Sequence, residues 1–169
     1  MDEHRGHAPH IFQLNRSAGG VPKLPVMEAQ VSSDGLEGDK QRNRRFHGGP
    51  NRALCLFSLE MILELQAAGH PVHPGSMGEN VTLAGINLAV LELGDTLAFG
   101  DEVVVQITSY AHPCQNIAGS FADGDITRVS QKVYPGKSRL YARVLQGGAL
   151  RAGLPVRVLG HAAGDRFVE

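Results

Sequence analysis

The chain has 169 residues, 42% of them apolar and 20% charged, with a formal net charge of −1, 21 glycines and only 5% aromatics. That length suits one domain with a real core, and the balanced charge excludes a general nucleic-acid surface, so any anion site must be local. Many glycines and few aromatics favour short strands joined by tight turns over a helical bundle, and only two cysteines occur, Cys55 and Cys114. With no apolar leader and no apolar run near the roughly 20 residues that cross a bilayer, the expectation is a cytoplasmic protein without a membrane partner.

In chain order, residues 1–10 read as a flexible tail, and "HIFQLNRS" as a first strand in which Ile11 and Leu14 bracket mixed residues, ending at the glycine-rich "SAGGVPK". "VMEAQVS" alternates at period two and predicts a second strand. A charged stretch follows over residues 32–51, longer than most structureless connections and therefore a functional candidate. "RALCLF" reads as a buried strand in which Cys55 packs as a small inert hydrophobe. It leads into the clearest helix, capped by Ser58, with Leu59, Ile62 and Leu63 as its apolar stripe, Glu60 and Glu64 outward, and Gly69 before Pro71 at its end.

The runs "GENVTLAG", "LAVLELGDTLAFG" and "EVVVQITSY" predict successive hairpins of a barrel or sandwich. "DITRVSQKV" predicts a second helix capped by Asp125, with Ile126, Val129 and Val133 on one face. "LYARVLQGGALRAGLPVRVLG" closes with two or three strands, and residues 161–169 read as a second tail.

Three stretches carry possible chemistry. In "SYAHPCQN", Cys114 stands where a strand ends and a short helical turn begins, an arrangement that favours a thiolate; spacing alone leaves it open between a reactive sulfur and an inert one. "GLEGDKQRNRRFHGGPNR" combines close-approach glycines with Lys40, Arg42, Arg44, Arg45 and Arg52, while Asp39 and His47 add an acid and an imidazole and "HGG" points to a backbone that comes close to a ligand. "SAGGVPK" offers Ser17, Gly19, Gly20 and Lys23 to an oxyanion without matching a P-loop or a dinucleotide fingerprint. "GSMGEN" places Glu79 and Asn80 at the start of a strand, where the simpler reading is a turn with Asn80 bonded to backbone. No cysteine or carboxylate sits at zinc spacing beside the histidines, and no G-x-S-x-G elbow is present.

Taken in order, "SAGGVPK", "GLEGDK", "FHGGPNR", "GSMGENVTLAGI", "LELGDTLAFG", "HPC" and "YARVLQGG" resemble a MOSC domain, the module named for the C-terminal part of molybdenum cofactor sulfurase, over residues 11–160. The resemblance is to stand-alone bacterial members. It implies a mainly β fold around a barrel of the pyruvate-kinase-barrel type with a few short helices, and molybdenum cofactor, a molybdopterin, in a basic cleft. It assigns phosphate and pterin contacts to Ser17, Gly19, Lys23 and Lys40, and the cleft lining to Asp39, His47, Gly48 and Asn80. Cys114 is implied as molybdenum ligand in a reductase of N-hydroxylated bases or related small molecules, or as sulfur carrier in a transferase; no pyridoxal phosphate is implied for this module. Electrons would come from a separate donor protein, since the chain has no flavin, haem or cysteine-cluster motif; sulfur would come from a cysteine desulfurase. Two positions depart from the family pattern: Phe46 precedes His47 where a doubled histidine is common, and Ala111 stands three residues before Cys114 where arginine is common.

Overall fold

The computed structural model describes residues 8–17, 19–39 and 49–161. Among these residues, eleven strands and one α-helix are joined by turns and short 3-10 segments, as the glycine-rich, aromatic-poor composition predicts. The strands are β1 (His10–Arg16), β2 (Leu24–Val26), β3 (Glu28–Ser32), β4 (Gly35–Leu36), β5 (Leu54–Ser58), β6 (Val81–Ala84), β7 (Thr96–Phe99), β8 (Val103–Tyr110), β9 (Leu140–Gln146), β10 (Gly148–Arg151) and β11 (Val156–Gly160); α1 spans Leu59–Ala67.

Eight strands form one mixed sheet in the order β11-β7-β8-β9-β5-β6-β1-β2, and β10-β3-β4 form a second. Among the described residues the ladder does not close into a ring. Its two ends are drawn together instead by backbone bonds from Ile11 N to Leu154 O and from Val156 N to Pro9 O, each 2.9 Å, which tie β1 to the residues leading into β11. The alternating apolar residues of both sheets, among them Ile11, Leu56, Leu83, Leu97, Val105 and Ala142, share one core.

Several expected elements differ. "VMEAQVS" is two strands, not one: the chain bends at Met27, whose side chain is 84% exposed, so β2 pairs with β1 while β3 joins the other sheet. The described part of the charged 32–51 stretch holds the turn and second strand of the β3–β4 hairpin, and a 3-10 turn, Pro50–Arg52, starts at its end. The expected run of hairpins holds for β7–β8 only. β6 instead lies parallel to β5, and a parallel pair needs a crossover, which α1 supplies. Within "LAVLELGDTLAFG" the first part is a 3-10 turn, Leu88–Val90, capped by the Asn87 side chain.

α1 follows its sequence signals closely. Ser58 Oγ accepts from Met61 N at 3.1 Å, and His70 N donates to Leu65 O across Gly69, the left-handed close of a helix. Its buried stripe is Ile62 and Leu65, however, and Leu63 is exposed, because Leu65 is the position one turn from Ile62 that faces the sheet. Burying each such side chain stabilises by about 1.5–3 kcal/mol. Ile62 and Leu65 pack with Phe57, Met77, Ile117 and Phe121 into a second core beneath the segment that follows "HPC". The second expected helix is a single 3-10 turn, Ile126–Val129, capped by Asp125; Val133 lies outside it and is exposed.

Two glycines separate backbone strain from steric exclusion. Gly75 (φ +91°) has Lys23 O only 2.2 Å from where a Cβ would stand, whereas Gly69 (φ +97°) faces open space. Gly69→Ala is expected to cost about 1–3 kcal/mol from backbone strain, and Gly75→Ala distinctly more, because Lys23 O must also move. Urea denaturation of the two variants checks this ordering.

Candidate functional site

The two cysteines occupy opposite environments. Cys55 lies in β5, buried against Ala111 and Tyr141, and burial pushes its thiol up to about 11. Such a sulfur is inert at neutral pH. Cys114 stands just beyond β8, in an extended conformation, as the residue preceding the 3-10 turn Gln115–Ser120; its side chain is half-buried and caps nothing. Pro113 has no amide hydrogen, so the β8–β9 ladder cannot continue past it and the chain turns there.

Tyr141 stands opposite Cys55 in the β5–β9 register, and Arg52 lies 5.5 Å from the centre of its ring. Burial, reinforced by Cys55, holds the phenol well above its ordinary 10. Tyr141 is therefore a neutral hydroxyl at physiological pH.

The "SAGGVPK", "GLEGD" and "GSMGEN" segments meet at one carboxylate. Asp39 Oδ2 accepts from Lys23 Nζ at 2.6 Å and from Asn80 Nδ2 at 2.8 Å, and Asp39 Oδ1 accepts from Ser17 N at 2.9 Å. The Lys23 and Asp39 side chains are only 7% and 5% exposed, so this is an internal ion pair. Asn80 extends it inward: its Oδ1 accepts from Cys55 N at 3.0 Å, while Asn15 N donates to Asn80 O at 2.8 Å. Both readings of Asn80 thus apply, since it bonds backbone and holds the acid.

Of the residues expected to contact an anion, Ser17, Lys23, Asp39 and Asn80 are brought together. The Lys23 ammonium is directed at Asp39, so its first task is to hold the wall. The Gly19 amide donates to Ser17 Oγ at 2.9 Å, and the space where a Cβ would stand on Gly19 is clear to 4 Å. Lys40, His47 and Gly48 lie outside the described residues. A cavity of about 830 Å³ is lined on its described side by residues including Ser32, Gly35, Gly38, Asp39 and Gly49. Asp39 therefore belongs both to the clamp and to an open space.

Sequence reasoning missed Arg139. It is buried, its Nη1 donates to Met77 O at 2.8 Å and its Nη2 to His112 O at 3.2 Å, and its Nε has no partner. In "GKSRLYARV" it reads as an ordinary basic residue ahead of a strand, and nothing in the sequence marks it as buried; only the structure shows that it leads into three buried residues of β9. Asn15 was also passed over. Lying within β1, its Nδ2 donates to Glu79 O and Thr82 Oγ1, both at 3.1 Å, and nothing in the strand's alternation marks it.

Glu79 is fully buried, with Oε1 accepting from Met77 N at 3.3 Å and Oε2 from Thr82 Oγ1 at 3.1 Å. Burial raises its carboxyl above the ordinary 4.5 despite these bonds.

Residues 43–157 match the MOSC domain family. The YflK protein of Bacillus subtilis is 31% identical over 143 residues, 83% of this chain and 63% of that protein. The YiiM protein of Escherichia coli is 28% identical over 140 residues, 80% of this chain and 61% of that protein. The chain thus spans about three fifths of the length of these curated relatives. The crystal structure of YiiM from Geobacillus stearothermophilus superposes with a TM-score of 0.69 at 25% identity, covering 92% of this chain and 77% of that one.

Lys23→Met leaves the Asp39 carboxylate buried without its cation and is expected to cost about 3–5 kcal/mol of stability, read from denaturant midpoints. Glu79 acts in the other direction. The folded state holds its proton more tightly than the unfolded chain does, so its contribution to stability falls as pH rises from 4.5 toward the higher folded-state value. Glu79→Gln, which keeps an oxygen for Met77 N, removes that decline; comparing the pH dependence of urea midpoints between variant and wild type measures it.

Proposed function

The chain belongs to the MOSC domain family, and on that premise we propose that it binds molybdenum cofactor, takes Cys114 as the protein's sulfur ligand to the metal, and reduces small N-hydroxylated compounds. The observation that carries this reading is the contrast between the two thiols: Cys55 is sealed and Cys114 is half-buried at a chain turn. A soft, reachable sulfur is the donor type that molybdenum takes.

The residues present fit the group on two further points. The clear space beside Gly19, at a φ of +152° with Ser17 next to it, allows a phosphate to approach backbone closely. Arg139 carries a buried positive charge with an unpaired Nε and is bonded through Nη2 to the carbonyl of His112, two residues before Cys114; an anionic cofactor nearby would lower the cost of that charge.

Bound there, the cofactor supplies a two-electron redox centre. Cys114 would hold the metal through Sγ. Ser17 and Gly19, with Lys40, His47 and Gly48 from the neighbouring stretch, would contact the phosphate and pterin. Lys23, Asp39 and Asn80 would keep that wall rigid, so that cofactor contacts are pre-formed rather than assembled on binding. Electrons would arrive from a separate donor protein, and the small substrate would enter from the cleft.

A second reading, sulfur carriage as a Cys114 persulfide supplied by a cysteine desulfurase, is favoured by one observation. Cys55, the other thiol, is buried, so it is not placed to attack a persulfide on Cys114 and displace its outer sulfur into a disulfide.

Metal analysis of protein made in a cofactor-competent host separates these readings. The proposal expects molybdenum in wild type and none above background in Cys114→Ser, with the variant's stability within about 0.5 kcal/mol of wild type because the side chain is not core. Intact wild type without molybdenum and without N-hydroxylamine reduction overturns it, and cyanide-labile sulfur on Cys114 in such protein selects the second reading.

A further inference from the structure

We propose that Arg139 is a positioning residue: its buried guanidinium, forked between the carbonyls of His112 and Met77, fixes the Cys114 turn against the 76–80 segment that carries Asn80. The inference rests on the reading of Cys114 as the functional sulfur, and it concerns a residue that neither the motifs nor the cleft contacts include.

The geometry explains why a side chain is needed here. The β8–β9 register ends at the pair Tyr110 and Leu140, and one more backbone bond, Ala111 N to Arg139 O at 3.0 Å, extends it. Beyond that the ladder stops, because Pro113 offers no N–H. The carbonyl of Ala111 accepts from Ser138 Oγ at 3.3 Å, the following one, that of His112, is taken by Arg139 Nη2, and Nη1 of the same planar fork reaches Met77 O. At the far end of the Gln115–Ser120 turn, Ser120 Oγ donates to Ser76 O at 3.3 Å. The segment around Cys114 therefore hangs from residues 76–77 at both ends, and Cys114, whose own side chain makes no capping bond, takes its place from these ties.

Arg139 is a costly choice for a strut. It is 4% exposed, no carboxylate among the described residues forms an ion pair with it, and its Nε is orphaned. Glu79, on the same segment, is committed to Met77 N and Thr82 Oγ1. A buried cation satisfied only by two carbonyls opposes stability. Its presence is accounted for by what the fork alone can do, which is to grip two carbonyls from different segments in one plane. Lysine, a point donor on a flexible stem, cannot reproduce that grip.

The test uses the full chain as wild type, Arg139→Met and Arg139→Lys, with Cys114→Ser to assign the reactive thiol. Native-state hydrogen exchange and the iodoacetamide alkylation rates of Cys114 and Cys55 are measured on each by mass spectrometry, and molybdenum content is measured in parallel. The expected result is loss of protection confined to residues 111–121 in both variants, with Cys114 alkylated about tenfold faster through local opening and Cys55 as unreactive as in wild type. Arg139→Lys, which keeps a cation but not the planar fork, is expected to lose the same protection, and it carries the test should Arg139→Met not fold. Wild-type protection and Cys114 rates in the variants overturn the proposal, as does parallel alkylation of Cys55, which marks a general loosening. Wild type lacking molybdenum while the variants free the Cys114 turn removes the cofactor reading and leaves the positioning role; molybdenum in wild type with an unmoved turn does the reverse.

Discussion

A carboxylate withdrawn from water has to be surrounded by donors, and Asp39 draws three from three separate parts of the chain: the Lys23 ammonium, the Asn80 amide and the Ser17 backbone N–H. Desolvation makes an incomplete set expensive, so the arrangement is close to all-or-none. Its consequence is spatial. The glycine-bearing "SAGG" segment, the loop leaving β4 and the start of β6 are held in one place although they are distant in sequence. Asn80 passes the constraint inward by fixing the amide of Cys55 in β5, so the wall of the cleft is tied to the centre of the main sheet.

A second line of contacts runs from the same segment to the sulfur. Met77 is three residues before Asn80; its carbonyl receives Arg139, and Arg139 receives the turn that ends in Cys114. The two networks share residues 76–80, whose backbone is shaped by Gly75 and Gly78, both at positive φ, and by the buried Glu79 bonds. A cofactor lying between the "SAGG" segment and Cys114 would touch both ends of one connected scaffold.

The position of the two thiols follows from strand pairing rather than from their neighbours in sequence. β5 has a partner on each side, β9 and β6, and every residue of it is buried, so its cysteine has no route to solvent. Cys114 escapes the same fate because a proline ends the ladder just before it. The crossover helix α1 then contributes from a distance: its buried face, with Met77, Ile117 and Phe121, forms the small core on which the Cys114 turn rests.

Local signals were legible where the physics is local. The strand character of β1, β5, β8 and β9, the Ser58 and Asp125 caps, the glycine close of α1, the burial of Cys55 and the chain turn at Cys114 could all be read from adjacent residues, because periodicity, capping and proline act over a few positions; the half-exposure of the Cys114 sulfur could not. What could not be read were choices between equally good local options. The same leucine-rich helix can bury Leu63 or Leu65, "VMEAQVS" can run straight or change sheets at Met27, and β6 can turn back on β7 or lie parallel to β5; only packing against distant strands distinguishes them. Arg139 belongs to this second class. A lone arginine before a strand carries no mark of burial, and its importance arises only when the fold brings the carbonyls of Met77 and His112, 35 residues apart, within reach of one guanidinium.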